Sequence, residues 1–427
     1  MSAPNSIDRS FGRDIVWNMA SLGFLAAAGL MLNFVVASAY GPEVLGLFNI
    51  VMAIYIFLSQ IGVFGIHFSI LKYVSEYNLV DGQRVRAAVT GAVVLATCVS
   101  TFVVFTAVLC TPLVEAAYPF DGIKTAWLAV LPGLWCFSLN KVLLAVVNGM
   151  ERMRSFAILQ ALRYVFVLLA LMAFLALRLE AAWITVVMSV GELLLLPVLF
   201  IYVTRVVGRW DWWNGLSWCK THLSFGARVF LSGTIGELNG RVDVLFIGSI
   251  LDSKRAGIYS IALLLAEGYA QAIVVMRANL NPLITRQLSG GAADELAQFG
   301  RRVCAWFALF MLVLGSLLVA GFAAVVNFIL PSGTFGEAIV PLAILVAGLV
   351  VASPYLPFGM VLTQAGRPFE QTVLAVIILG INVLANLLFV PFLGINGAAV
   401  GTAISYVSTA LLLVMILRFC FGVRLWF

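Results

Sequence analysis

Charge is scarce in this sequence. Of its 427 residues only 10% are Asp, Glu, Lys or Arg, against about 25% in soluble proteins. A soluble chain of this length needs far more charge to cover its surface. A soluble enzyme, a disordered chain and a fibrous repeat are therefore excluded. Histidine is reduced to 2 residues and cysteine to 6 (Cys98, Cys110, Cys136, Cys219, Cys304, Cys420). The cysteines are scattered and form no C-x-x-C, so neither a disulfide framework nor a zinc site is supported. G-x-x-x-x-G-K-[ST], H-E-x-x-H and G-x-G-x-x-G are all missing. ATP hydrolysis, zinc hydrolysis and dinucleotide binding thus lack their signatures, and no metal or other cofactor is expected. A cleavable signal is missing too: the first apolar run extends from Ile15 to Ser38, longer than a signal-peptide core.

What is present is apolar. Hydrophobic residues make up 63% of the chain, with 31 Phe and 10 Trp. Twelve apolar segments lie near 15–39, 45–70, 87–111, 125–147, 156–177, 182–203, 227–250, 257–283, 303–325, 339–362, 371–392 and 396–417. Each is long enough for a membrane-spanning helix of about 20 residues. Outer-membrane strands use alternating segments of about ten residues, which these runs are not. The chain therefore reads as an all-α polytopic membrane protein with about twelve transmembrane helices, and no connection leaves room for a soluble domain.

The basic residues orient it. Alternate connections and the two tails, one side of the membrane, carry 16 Lys and Arg; the other side carries only Lys124, Arg178, Lys254 and Arg255. The positive-inside rule then places both termini in the cytoplasm of a plasma (inner) membrane protein. The net charge of +6 comes from these loops, so no nucleic-acid partner is expected.

An internal repeat divides the chain. Ser38 to Ile50 aligns with Ser249 to Ile261 at an offset of 211, pairing Gly46 with Gly257 and Phe48 with Tyr259. Arg154-Ser155-Phe156 aligns with Arg367-Pro368-Phe369 at an offset of 213. Two matches at nearly one offset suggest two six-helix lobes, residues 1–203 and 227–427, with a path for substrate between them. The joining segment 204–226 carries Trp210, Trp212, Trp213 and Trp218 among basic residues. It reads as an interfacial cytoplasmic linker in contact with membrane lipid.

Eight ionisable residues lie inside apolar segments: Lys141, Arg163, Arg241 and Arg277, with Glu192, Glu237, Asp243 and Glu267. Each costs roughly 2.5–3.5 kcal/mol at a lipid-facing midplane, and all eight would cost on the order of 20–28 kcal/mol. That exceeds typical folding stability, so most must face protein, one another or water. At 100° per residue Glu237 and Arg241 share a helix face and could neutralise each other. Arg163 and Arg277 have no acid one turn away and are the leading candidates to contact an anionic substrate, with Arg241 and Lys141 supporting. Glu237, Asp243, Glu267 and Glu192 are candidates for coupling or charge balance. Pro354 and Pro357 predict a kink in the tenth segment, Gly397-x-x-x-Gly401 predicts close helix packing, and His67 and His222 read as satisfied polar side chains.

Four stretches carry a family resemblance. They are Tyr40-Gly41-Pro42-Glu43-Val44-Leu45-Gly46-Leu47-Phe48; Arg241-Val242-Asp243-Val244-Leu245-Phe246-Ile247-Gly248 with Ala256-Gly257-Ile258-Tyr259; Asn281-Pro282 with Arg286; and Pro391-Phe392-Leu393-Gly394-Ile395-Asn396-Gly397-Ala398-Ala399. In order and spacing they resemble the oligosaccharide/polysaccharide flippases (O-antigen translocase-like) of the multidrug/oligosaccharidyl-lipid/polysaccharide exporter superfamily. The resemblance implies two six-helix lobes around a central cavity. It also implies export of a polyprenyl-diphosphate-linked glycan without ATP, alongside a polysaccharide polymerase or export machinery, with the diphosphate against cavity cations. The competing expectation is a cation-coupled multidrug or metabolite antiporter of the same superfamily. A membrane-embedded glycan polymerase or glycosyltransferase ranks lower, because the chain has neither a large external loop nor a soluble catalytic domain.

Overall fold

The computed structural model describes residues 5–78, 80–289, 293–328 and 335–423. Every regular element among them is helical. The chain divides into two compact units, Met1–Glu237 and Leu238–Phe427. The first comprises α1 (Asn5–Val63), α2 (Ile66–Tyr77), α3 (Gly82–Leu109), α4 (Thr111–Ala117), α5 (Ile123–Gly149), α6 (Met153–Ala176), α7 (Val186–Val207) and nearly all of α8 (Trp212–Asn239). The second comprises α9 (Val242–Ile250), α10 (Ser253–Ser289), α11 (Ala293–Phe328), α12 (Ile339–Ala352), α13 (Val361–Gln364), α14 (Pro368–Leu393) and α15 (Ile395–Phe421). Arg424 lies outside the described residues, as do the side chains of Arg9, Arg13, Pro282, Arg286, Arg301 and Arg302.

Among the described residues nine helices are long and apolar enough to cross a membrane, or ten if one bent pair counts as a span. The twelve-segment expectation differs from this count for local reasons. One apolar stretch, Gly23–Val63, runs for 41 residues. A straight helix of that length would be about 60 Å long, twice the hydrocarbon thickness. It does not run straight. Gly41 has φ 81° and ψ −178°, a region open essentially to glycine alone, and Pro42 bars the residue before it from helical geometry. Asn33 and Asn49, 16 residues apart, consequently meet through a 3.0 Å side-chain hydrogen bond. A continuous helix would hold them about 24 Å apart, so α1 is a helical hairpin. The segment 227–250 differs in the opposite sense. It breaks at Gly240 and Arg241, leaving α9 only 9 residues long. The bent pair is the Pro354–Pro357 region, where the helical segments meet at 69°, as two prolines within four residues require.

Polar stitching holds the first unit together. On α7, Thr185 (its N-cap), Ser189 and Glu192 follow the i, i+4, i+7 spacing of one face and point at α5. Thr185 Oγ1 donates to the Ala126 carbonyl at 2.6 Å. Ser189 Oγ donates to the Ala129 carbonyl at 2.6 Å and accepts from the Gly133 amide at 3.0 Å. The serine hydroxyl thus sits inside the α5 hydrogen-bond ladder, beside Pro132, which supplies no amide of its own. Only glycine fits at 133, since a Cβ there would stand 2.7 Å from the Ser189 Cα. The four-residue glycine spacing of α15 works similarly in the second unit: a Cβ at Gly397 would collide with the Phe389 carbonyl of α14.

The stretch expected as a linker, 204–226, forms the end of α7 and much of α8, and belongs to the first unit. His222 seats α8 there: fully buried, it contacts the Ser69 hydroxyl of α2 through Nδ1 at 2.9 Å and the Ala88 carbonyl of α3 through Nε2 at 3.0 Å. On the other side of α8 Trp213 is 93% exposed, with Trp212, Leu216 and Leu223 also exposed. That is the pattern of a helix lying in the lipid headgroup region.

Candidate functional site

The second unit contains a buried oxygen-rich cluster centred on Asp243. The carboxylate lies in the first turn of α9 and is 1% exposed. Its Oδ2 accepts from the Tyr259 hydroxyl of α10 at 2.8 Å and from the Thr402 hydroxyl of α15. Its Oδ1 accepts from Asn386 Nδ2 of α14 at 2.9 Å. Asn386 Nδ2 also reaches Asn382 Oδ1 at 2.9 Å, and Asn382 Nδ2 donates to Asn239 Oδ1 at 3.1 Å. One carboxylate is thus met by two hydroxyls and an amide from three helices, with no cation in contact with it among the described residues. The Asn386 Oδ1 atom is buried and has no hydrogen-bond partner among the described residues.

Asp243 and Tyr259 are 16 residues apart in sequence, the same separation as Asn33 and Asn49 in the first unit. In both places a turn folds two helices together and a polar pair bridges them. These two pairs lie 210 residues apart in the chain, one residue from the 211 offset of the sequence repeat.

The first unit holds its own charges differently. Glu192 is fully buried. Its Oε1 lies 2.9 Å from Arg163 Nε of α6, and its Oε2 accepts from Asn140 Nδ2 of α5 at 2.8 Å. The Arg163 guanidinium carbon stands 4.8 Å from the centre of the Phe137 ring. Arg163 therefore has an acid partner after all, supplied by α7 and invisible to spacing within α6. Next to Asn140, Lys141 donates from Nζ to Gln60 Oε1 at 3.2 Å. No carboxylate lies within ion-pair distance of Lys141 among the described residues, although Glu237 exerts an attractive field on it.

The expected Glu237–Arg241 pair does not form, because α8 ends at Asn239 and the four-residue helical spacing is lost in the turn that follows. Arg241 instead lies 3.5 Å from Glu267 of α10, with both side chains about one-third exposed. Arg277, also on α10, differs from the other arginines. Half-buried, it donates from Nη2 to the Leu356 carbonyl at 3.1 Å, and its buried Nε, like Nε and Nη2 of Arg163, has no hydrogen-bond partner among the described residues. No carboxylate pairs with it among the described residues.

Sequence reasoning over charges missed Asn140, Asn382, Asn386, Tyr259, Thr402 and Gln60. The signal was there: Asn382-x-x-x-Asn386 places two amides on one face of an otherwise apolar helix, where an unpaired amide is costly. Among the described residues no group of three or more His, Cys, Asp or Glu side chains could hold a metal ion, and all six cysteines are free.

The fold is that of the multidrug/oligosaccharidyl-lipid/polysaccharide exporter superfamily. It is similar to lipid II flippase MurJ in an inward closed conformation, with TM-score 0.75, 14% identity, and 95% of this chain and 87% of that chain covered. An inward-facing multidrug resistance MATE transporter of the MOP superfamily matches with TM-score 0.72 and 14% identity over 93% of this chain and 94% of that one. A MOP superfamily transporter from Pyrococcus furiosus matches with TM-score 0.64 and 13% identity over 95% and 94%. No curated protein matches the sequence. Within that fold the sequence is specific: residues 11–287 match the model of the polysaccharide biosynthesis protein family, and the chain belongs to that family.

Proposed function

We propose that this protein is a flippase that carries a polyprenyl-diphosphate-linked oligosaccharide across the plasma membrane by alternating access, for cell-surface polysaccharide biosynthesis. The family membership supports the glycan, and one observation supports the headgroup: Arg277, inside the apolar span Ser253–Asn281, is a half-buried guanidinium with no carboxylate partner among the described residues. An uncompensated cation there costs roughly 2.5–3.5 kcal/mol, a cost that an anionic substrate would offset on binding. Its planar donor fork suits phosphate oxygens. Lys141, held by a neutral amide, is the corresponding contact of the first unit. Arg163 and Arg241, paired with Glu192 and Glu267, position helices and shape the field. The Asp243 cluster takes up the coupling proton or cation, and both termini lie in the cytoplasm.

The test is a flipping assay in proteoliposomes with a polyprenyl-diphosphate oligosaccharide whose sugar is accessible to an external lectin. Arg277→Ala is expected to slow flipping about ten- to a hundredfold, the range of one charge-assisted contact, and Arg277→Lys to recover part of it. Wild-type rates in Arg277→Ala at equal reconstitution would overturn the reading. Cation-driven efflux of a drug, with no glycan flipping, would establish the antiporter alternative instead.

A further inference from the structure

The first unit carries an apolar groove that the proposed transport reaction does not use. In it α3 and α7 both pack on α5 but scarcely touch each other, so the α5 surface is left as the floor of a trough. The cavity measures about 430 Å³; Leu139 and Leu143 form its floor, and its walls include Val93 and Thr97 on α3 and Pro197 and Ile201 on α7. Trp135 to Leu143 spans about 12 Å along α5.

Both walls end in arginine at the same end. On α3, Arg86 is seven residues before Val93 and so on the same face, about 10 Å along the axis. On α7, Pro197, Ile201 and Arg205 follow each other at four-residue intervals, placing Arg205 about 6 Å beyond the last apolar wall residue. Arg86 closes that end by donating from Nε to the Val207 carbonyl at 3.2 Å. Trp210 stacks on Phe200, a wall residue, with centroids 5.0 Å apart, and its indole N–H is bonded to Thr204. Both arginines are exposed. Nearby, the Asp211 carboxylate accepts from the Asn214 amide groups and feels the field of Arg86.

An apolar trough within the membrane, a tryptophan at its rim and two arginines at one end match a single ligand chemistry: a long hydrocarbon chain joined to an anionic headgroup. We infer that this groove is a binding site for an anionic membrane phospholipid. One acyl chain lies between α3 and α7, and the phosphate sits against Arg86 and Arg205. A zwitterionic lipid could enter the trough but gains less from the arginines.

Native mass spectrometry of the purified full chain tests this directly, with phosphatidylglycerol and phosphatidylcholine of identical acyl chains as probes. Wild type is expected to retain phosphatidylglycerol at least fivefold more strongly than phosphatidylcholine. Arg205→Gln, at an exposed position, should weaken phosphatidylglycerol about fivefold and leave phosphatidylcholine unchanged. Thr97→Phe, which fills the trough from its half-exposed wall, should abolish retention of both. Equal retention of the two lipids by wild type, or wild-type phosphatidylglycerol retention in both variants, would overturn the inference. So would a polyprenyl diphosphate that occupies the groove while phosphatidylglycerol fails to compete.

Discussion

At the scale of single residues, the eight intramembrane charges fall into different chemical situations. Glu192 is buried against the mostly covered Arg163, and the two charges compensate each other. Removing either side chain leaves its partner uncompensated, which destabilises more than the pair itself stabilises. Among the described residues Asp243 is met only by neutral donors, so no cation in contact balances its charge. Asp243→Asn preserves shape and most hydrogen bonds; the expected outcome is near-normal expression with loss of any sodium or pH dependence of transport, measured as initial rates across imposed gradients. Unchanged cation dependence would remove Asp243 from the coupling role. His222 gives a pH prediction outside the membrane spans. Burial lowers its pKa from 6.5 to about 4, partly opposed by its bond to the Ala88 carbonyl. The folded protein therefore holds the neutral ring, whereas the unfolded chain takes up a proton below about pH 6.5. Its contribution is complete above pH 6.5 and is lost as pH falls toward 4, about 3 kcal/mol in all. Melting curves at pH 7.5 and 5.0 should show a smaller acid shift for His222→Gln than for wild type.

At the scale of elements, sequence spacing succeeded wherever one helix contained the whole pattern and failed where a partner helix supplied the rest. The kink at Pro354–Pro357 and the Gly397–Gly401 approach were legible, because proline and glycine act through local backbone geometry. The Glu237–Arg241 pairing assumed a continuous helix, and the break at Gly240 removed it. The Arg163 counter-ion lies on α7, 29 positions away, beyond any local rule. The α5–α7 seam was equally invisible, since nothing in the sequence pairs Ser189 with Gly133. That seam yields a sharp prediction. Gly133→Val would drive methyl groups into the Ser189 backbone and should lower the melting temperature in detergent markedly. Ser189→Ala, which removes only the inserted hydroxyl, should cost about 1 kcal/mol or less. Similar melting temperatures for the two variants would contradict the close approach.

At the scale of the whole molecule, the charge asymmetry predicts that a reporter active only in the cytoplasm will be active when fused to either terminus. Activity at only one end would require an odd number of crossings. The scarcity of charged residues determined the membrane class by itself, because apolar composition is a property of the solvent the chain must face. The repeat offset suggested two halves, and the charge inventory named the residues that had to be accounted for. Tertiary structure alone decided what each charge does. Whether a buried cation is neutralised, held by a carbonyl or left uncompensated depends on which helix packs beside it. Sequence separation does not encode that contact: Asp243 and Thr402 meet across 159 positions, while Glu237 and Arg241, four apart, do not.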